Sequence, residues 1–71
     1  MEHVKANSSS VESHGYDPAT RTLEVKFKGS GKTYSYAGVP YDTHLRLTTA
    51  KSVGKFVHKN IIPNYQGKHV R

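Results

Sequence analysis

Lys32-Thr33-Tyr34-Ser35-Tyr36-Ala37-Gly38-Val39-Pro40 alternates aromatic with small polar residues and then stops at a glycine and a proline. Side chains along a strand alternate sides, so Tyr34 and Tyr36 share one face and Thr33 and Ser35 the other. The tyrosine face needs a partner layer. Immediately upstream, Leu23, Val25 and Phe27 alternate with Thr22, Glu24, Lys26 and Lys28, giving a second strand with one apolar and one wet face. Gly29-Ser30-Gly31 turns the chain between the two. Parity then demands an even loop, either Ser30-Gly31 alone or residues 29–32, which sets Phe27 opposite Tyr34 and Val25 opposite Tyr36.

Further upstream, Val11, Ser13 and Gly15 fall on one parity and Ser10, Glu12, His14 and Tyr16 on the other. This is a modest strand ended by Asp17-Pro18-Ala19-Thr20, where Asp caps the turn and Pro fixes φ. The same parity places Val11, Ser13 and Gly15 inward, the small Ser13 and Gly15 leaving room for a helix, and turns Tyr16 and His14 outward beside Thr22, Lys26 and Lys28. Residues 1–8 have little apolar content and read as a frayed segment.

After Val39-Pro40 the period changes from two to about 3.6. Pro40 suits a first helical turn, Tyr41 and Leu45 share one face of a short helix, and Asp42 sits near its positive end. A second helix runs from about residue 52 to 61: Val53, Phe56, Val57 and Ile61 form its apolar stripe and Ser52 its N-cap. Gly54 within it costs about 1 kcal/mol relative to Ala, which points to close packing on the sheet. Pro63 ends the helix, Tyr65 folds back on that layer, and residues 67–71 are a loose basic tail. The expected fold is an α+β domain over residues 9–66: a three-stranded antiparallel β-meander with two C-terminal helices packed on one face.

A chain of 71 residues is one domain with a thin core, and without cysteine it has neither disulfides nor thiol chemistry. No basic-then-apolar leader or long apolar run is visible, so the reading is cytoplasmic, with no membrane partner. The net charge of +6 is unevenly placed. Residues 1–43 carry five Lys or Arg against five Asp or Glu, whereas residues 44–71 carry six basic residues and no acid. Such a one-signed segment attracts polyanions or acidic surfaces.

These landmarks resemble the KTSC domain, a short module found alone in bacterial and phage proteins and at the C-terminus of some lysyl-tRNA synthetases. The resemblance is carried by Ser9-Ser10-Val11, Gly15-Tyr16-Asp17, Leu23-Glu24-Val25-Lys26-Phe27, Tyr34-Ser35-Tyr36 and Val39-Pro40, and then by Ser52, Gly54, Phe56, Ile61 and Tyr65. His58 stands where the family usually has Asn, and Val57 replaces its second aromatic. The resemblance implies a proposed RNA-binding role and no known enzymatic activity.

Lys51, Lys55 and Lys59 follow i, i+4, i+8 spacing and form a ridge with no Glu to neutralise it. Arg46, Lys68 and His58 extend it. Contact with RNA or another polyanion through Arg46, Lys51, Lys55, Lys59 and Lys68, with Tyr16 and Lys26 as weaker additions, is the first functional expectation. Tyr34 and Tyr36 read as core before they read as a base-stacking platform, since their parity matches Val25 and Phe27. The second expectation is a protein-interaction module that docks an acidic partner or adds a strand at a sheet edge. Enzymatic activity is not expected, nor a cofactor, a metal or a small-molecule substrate. The five histidines lack metal-ligand spacing, the Asp42-Thr43-His44 run points its side chains different ways, and the glycines are better explained as a hairpin.

Overall fold

The tyrosine strand is the fourth of a five-stranded antiparallel sheet, in a computed structural model that describes residues 1–71. The strands are β1 (Val4–Lys5), β2 (Val11–Asp17), β3 (Thr22–Phe27), β4 (Thr33–Tyr36) and β5 (Gly67–His69), arranged in chain order. Between β4 and β5 lie α1 (Tyr41–Thr49) and α2 (Val53–Phe56), which continues into a π-helical turn at Val57–Ile61. The α+β class, the antiparallel meander and the two helices agree with the sequence reading. The strand count does not: β1 and β5 fall in the segments expected to be frayed or loose. At two and three residues they are too short to display a period, and backbone pairing to β2 and β4 is what makes them strands.

The β3–β4 hairpin keeps the predicted parity but slides by two residues. Val25 faces Tyr34 and Leu23 faces Tyr36, so the loop is the even one over residues 28–31. Phe27 N–H donates to the Lys32 carbonyl at 3.0 Å and Gly31 N–H to the Phe27 carbonyl at 2.9 Å, with Gly31 at φ 69°, a conformation glycine adopts freely. At the preceding turn Asp17 Oδ1 accepts from Ala19 N–H at 3.0 Å, as its turn chemistry requires.

The largest departure is in β2. Val11 pairs with Phe27 but Ser13 pairs with Lys26, so Glu12 is an extra residue, a β-bulge. One inserted residue exchanges the faces of everything after it. His14 and Tyr16 therefore face inward beside Val25 and Leu23, while Ser13 and Gly15 face outward, the reverse of the alternation read from the sequence. The outward placement of Tyr16 and His14 is thereby corrected.

The core lies between the inner sheet face and the helices, around Val11, Leu23, Val25, Val39, Leu47, Val57 and Ile61, all fully buried. In α1 the inward stripe is Thr43, His44 and Leu47, whereas Tyr41 and Leu45 are exposed. The helix thus buries its Leu47 side, where His44 also stacks on the Tyr16 ring, and leaves Tyr41 and Leu45 exposed. The α2 stripe is as expected, with Ser52 Oγ accepting from Lys55 N–H at 3.2 Å as its N-cap. Ile62 N–H donates to the Val57 carbonyl at 2.9 Å, the i+5 bond of the π turn. Gly54 is buried, and a Cβ there would collide with Ser10 Oγ and come within 3.0 Å of Ser8 Oγ.

Candidate functional site

The cations expected to form one surface are divided by the sheet. Lys68 faces Ser35, which faces Glu24, so it lies on the face away from the helices. Lys26 is on that same outer face, 3.2 Å from Glu12. Arg46 is on the helical layer, its Nε 3.2 Å from Asp42 one turn earlier, an exposed pair worth about 0.3–0.5 kcal/mol. Lys51 precedes the N-cap and stands outside α2, Lys55 is within α2 and Lys59 within the π turn. All three are exposed and, like Lys68, form no ion pair. Tyr16 is half-buried, and its hydroxyl donates to the Val39 carbonyl at 2.6 Å.

Beside the α2 lysines runs a line of rings. His58 lies 6.3 Å from Phe27, Phe27 meets Tyr34 edge to face at 6.0 Å, and Tyr34 lies 5.4 Å from His69. The histidines are exposed and the other two rings half-buried. Phe27, Tyr34, Tyr36, Ile62 and Gly67 line a shallow apolar hollow of about 270 Å³ there. Three of the four members of the line have a lysine next to them in the chain: Lys28 follows Phe27, Lys59 follows His58 and Lys68 precedes His69. Register explains why Tyr34 is not sealed into the core: its inward neighbour on β5 is His69, on an exposed edge strand.

A second constellation was hidden by the bulge. His14, Tyr16 and His44 line a cleft of about 500 Å³ between β1, β2 and the end of α1, together with Glu2, Lys5 and Lys51. His44 stacks on Tyr16 with ring centres 4.4 Å apart and planes 9° apart. His14 is only 5% exposed, and Nδ1 of both histidines is buried without a hydrogen-bond partner. Burial is the main cause that holds both imidazoles below their usual pKa, and for His14 the proximity of His44 and His3 adds to it. The signal in the sequence was Tyr16 itself, a large aromatic at a parity that would have left it in water.

The outer sheet face carries a clasp. Glu24 Oε1 accepts from Arg71 Nη2 at 2.7 Å and lies 2.8 Å from His3 Nε2, while His3 Nδ1 lies 2.8 Å from Ser13 Oγ. These bonds hold the Glu24 carboxyl below its ordinary range, the His3 bond most, against a smaller opposing effect of burial. No group of three or more His, Cys, Asp or Glu is placed to hold a metal ion, and no helix is long and apolar enough to cross a membrane.

Comparison with known proteins bears on this arrangement as a whole. A family model described as the KTSC domain matches residues 7–65. A protein of Tsukamurella paurometabola is 41% identical over 59 residues, which cover 83% of this chain and 87% of that one. A lysine–tRNA ligase of a Nostoc species is 36% identical over 58 residues, which cover 82% of this chain but 10% of the ligase. The crystal structure of a KTSC domain protein from Yersinia pestis superposes with a TM-score of 0.93 at 34% identity, covering 99% of this chain and 97% of that one.

Proposed function

The chain belongs to the KTSC domain family, and on that footing we propose that it is a non-enzymatic module that binds single-stranded RNA along the helical side of its sheet. The observation that carries this reading is the line His58–Phe27–Tyr34–His69 lying beside the unpaired Lys55 and Lys59. Single-strand binders combine cations that follow the backbone with rings on which successive bases stack. Lys51, Lys55 and Lys59 supply the first, and Arg46 joins them by exchanging its weak exposed pair with Asp42 for a phosphate. His58 and His69, the exposed rings, supply the second, with Phe27 and Tyr34 as the floor between them. Lys68 and Lys26 face the other side of the sheet and add only to the long-range field, and Tyr16 contributes no stacking surface. The Nostoc relative, a ligase whose name specifies tRNA, supports RNA over other polyanions.

Such binding is largely blind to sequence, since lysine is a point charge and rings accept any base. Engagement of about four phosphates on a single strand gives a slope of log affinity against log salt near about −3. A labelled oligoribonucleotide at low salt should therefore perturb amides over residues 55–59 and 67–69. The double variant Lys55→Glu/Lys59→Glu should abolish that response, and His58→Ala should cost about 1–3 kcal/mol of affinity. Unaltered affinity in both variants sinks the reading and leaves the exposed edge strands, as docking sites for an acidic protein, in its place.

A further inference from the structure

Tyr36 is the most buried of the five tyrosines, 4% exposed, and its burial leaves one polar atom without a partner. A buried phenol ordinarily finds a hydrogen-bond partner, as Tyr16 does in the Val39 carbonyl. The Tyr36 hydroxyl has none within the protein. Yet it is not sealed, since the side-chain atoms both sealed and unpartnered are Nδ1 of His14 and Nδ1 of His44. The opening that Tyr36 lines is the apolar hollow of about 270 Å³ shared with Phe27, Tyr34, Ile62 and Gly67. Gly67 keeps that end of the ring uncovered. A Cβ on Gly67 would stand 2.8 Å from Tyr36 Cε1 and 3.4 Å from its hydroxyl oxygen. Burial, and after it the neighbouring Tyr34, push the phenol's pKa up, so the group stays protonated and able to donate.

We propose that the hollow seats one unstacked nucleobase of the bound RNA, its polar edge hydrogen-bonded to the Tyr36 hydroxyl. This deepens the reading of the helical side as an RNA surface and rests on it. The walls select a flat occupant. Phe27 and Tyr34 stand 6.0 Å apart with planes at 73°, so a planar ring stacked on one meets the edge of the other, the two arrangements aromatic pairs favour. An aliphatic chain gains nothing from that corner. The hydroxyl then selects among flat groups, because every nucleobase carries donors and acceptors in its plane, whereas a phenylalanine ring has none and an indole a single donor. Charge agrees with this choice: Ile62, the wall on the helical side, comes three residues after the unpaired Lys59. A hollow of this volume, just under the range of small-ligand sites, takes the base and leaves sugar and phosphate outside, within reach of the lysines. Only an unpaired base can enter, which excludes duplex RNA from the site.

Neutral nucleosides test the hollow apart from the lysines, because they bring no phosphate. In an NMR titration of the full chain, adenosine and uridine at millimolar concentration should shift the Tyr34 and Tyr36 ring signals and the Gly67 amide saturably. Tyr36→Phe takes no bond from the protein and so keeps the fold; it should weaken nucleoside binding about two- to tenfold, the worth of one hydrogen bond. Gly67→Ala, which sets a methyl against the phenol, should abolish it. Ring signals indifferent to both nucleosides, or equal nucleoside affinity in Tyr36→Phe, overturns the proposal. N-acetyltyrosinamide is the peptide control, and tighter binding by it than by either nucleoside also overturns the proposal, in favour of a protein side chain. The variant Lys55→Glu/Lys59→Glu separates this inference from the reading beneath it, since it should lose the oligoribonucleotide and still bind adenosine. Nucleoside binding with no oligoribonucleotide binding sinks the RNA reading and upholds the hollow as a nucleoside site. Oligoribonucleotide binding that Tyr36→Phe leaves unchanged sinks the hollow and spares the RNA reading.

Discussion

Gly15 carries no side chain, and the outer row of the sheet depends on that. The β1–β2 register continues to set His3 beside Gly15, and Gly15 faces Glu24. A Cβ on Gly15 would stand 2.6 Å from the Glu2 carbonyl and 2.9 Å from the His3 ring. The bare backbone is a lane across β2 along which His3 reaches Glu24. Gly15→Ala is expected to lower stability by about 1–3 kcal/mol, the usual penalty of overpacking, because a backbone carbonyl must move; a denaturant midpoint measures it. Gly54 is a milder case, since the obstructing Ser10 Oγ is the end of a flexible side chain. Gly54→Ala should destabilise in the natural background and lose part of that penalty once Ser10→Ala removes the nearer hydroxyl, with Ser8 Oγ still 3.0 Å away, against a gain in helix propensity of about 1 kcal/mol. A double-mutant cycle that shows no coupling refutes the contact. Sequence reading anticipated close packing at Gly54 from its cost in a helix, though the neighbours are Ser8 and Ser10 just before β2 and not the sheet, whereas Gly15 looked merely small, since its neighbours Glu2 and His3 precede a strand too short to foresee.

Among the elements, β1 and the chain after β5 share one tether, the Glu24 carboxylate on the central strand. Glu24→Gln should speed amide exchange in β1 and β5 together while β2 and β3 keep their protection, which native-state hydrogen exchange resolves strand by strand. Acid should act in two windows. The folded state keeps His14 and His44 neutral, so the unfolded chain takes up protons first, and stability falls as pH drops below the usual imidazole value near 6.5. Glu24 is held ionised, so its contribution is complete above the ordinary carboxyl value near 4.5 and is lost as pH falls below it toward the lower folded value. Denaturation midpoints taken from pH 8 to 3 should show both declines, and replacing Glu24 by Gln should remove only the second. The strands β3 and β4 and the helix over residues 53–61 were legible because their periods are long and clean. The face of β2 was not, because a single bulge at Glu12 inverts parity without altering composition.

For the molecule as a whole, the sheet divides charge. On its outer face Lys26 pairs with Glu12 and Arg71 with Glu24 while Lys68 stays unpaired, and on the helical side Arg46 pairs with Asp42 while Lys51, Lys55 and Lys59 stay unpaired. The acid-free half of the chain foretold a positive field, and it did not foretell that the sheet would divide that field between two sides. The α+β class and the family were likewise legible, being carried by landmarks in order; the line of rings and the cleft were not, because both join residues from strands and helices far apart in the chain. The outer lane leads to a further expectation. If an empty position is what allows residues 3 and 24 to touch, then among relatives of this chain the three positions should evolve as a set: a bulky residue at 15 should accompany the disappearance of an imidazole at 3 or of an acid at 24, and glycine should persist wherever that pair does.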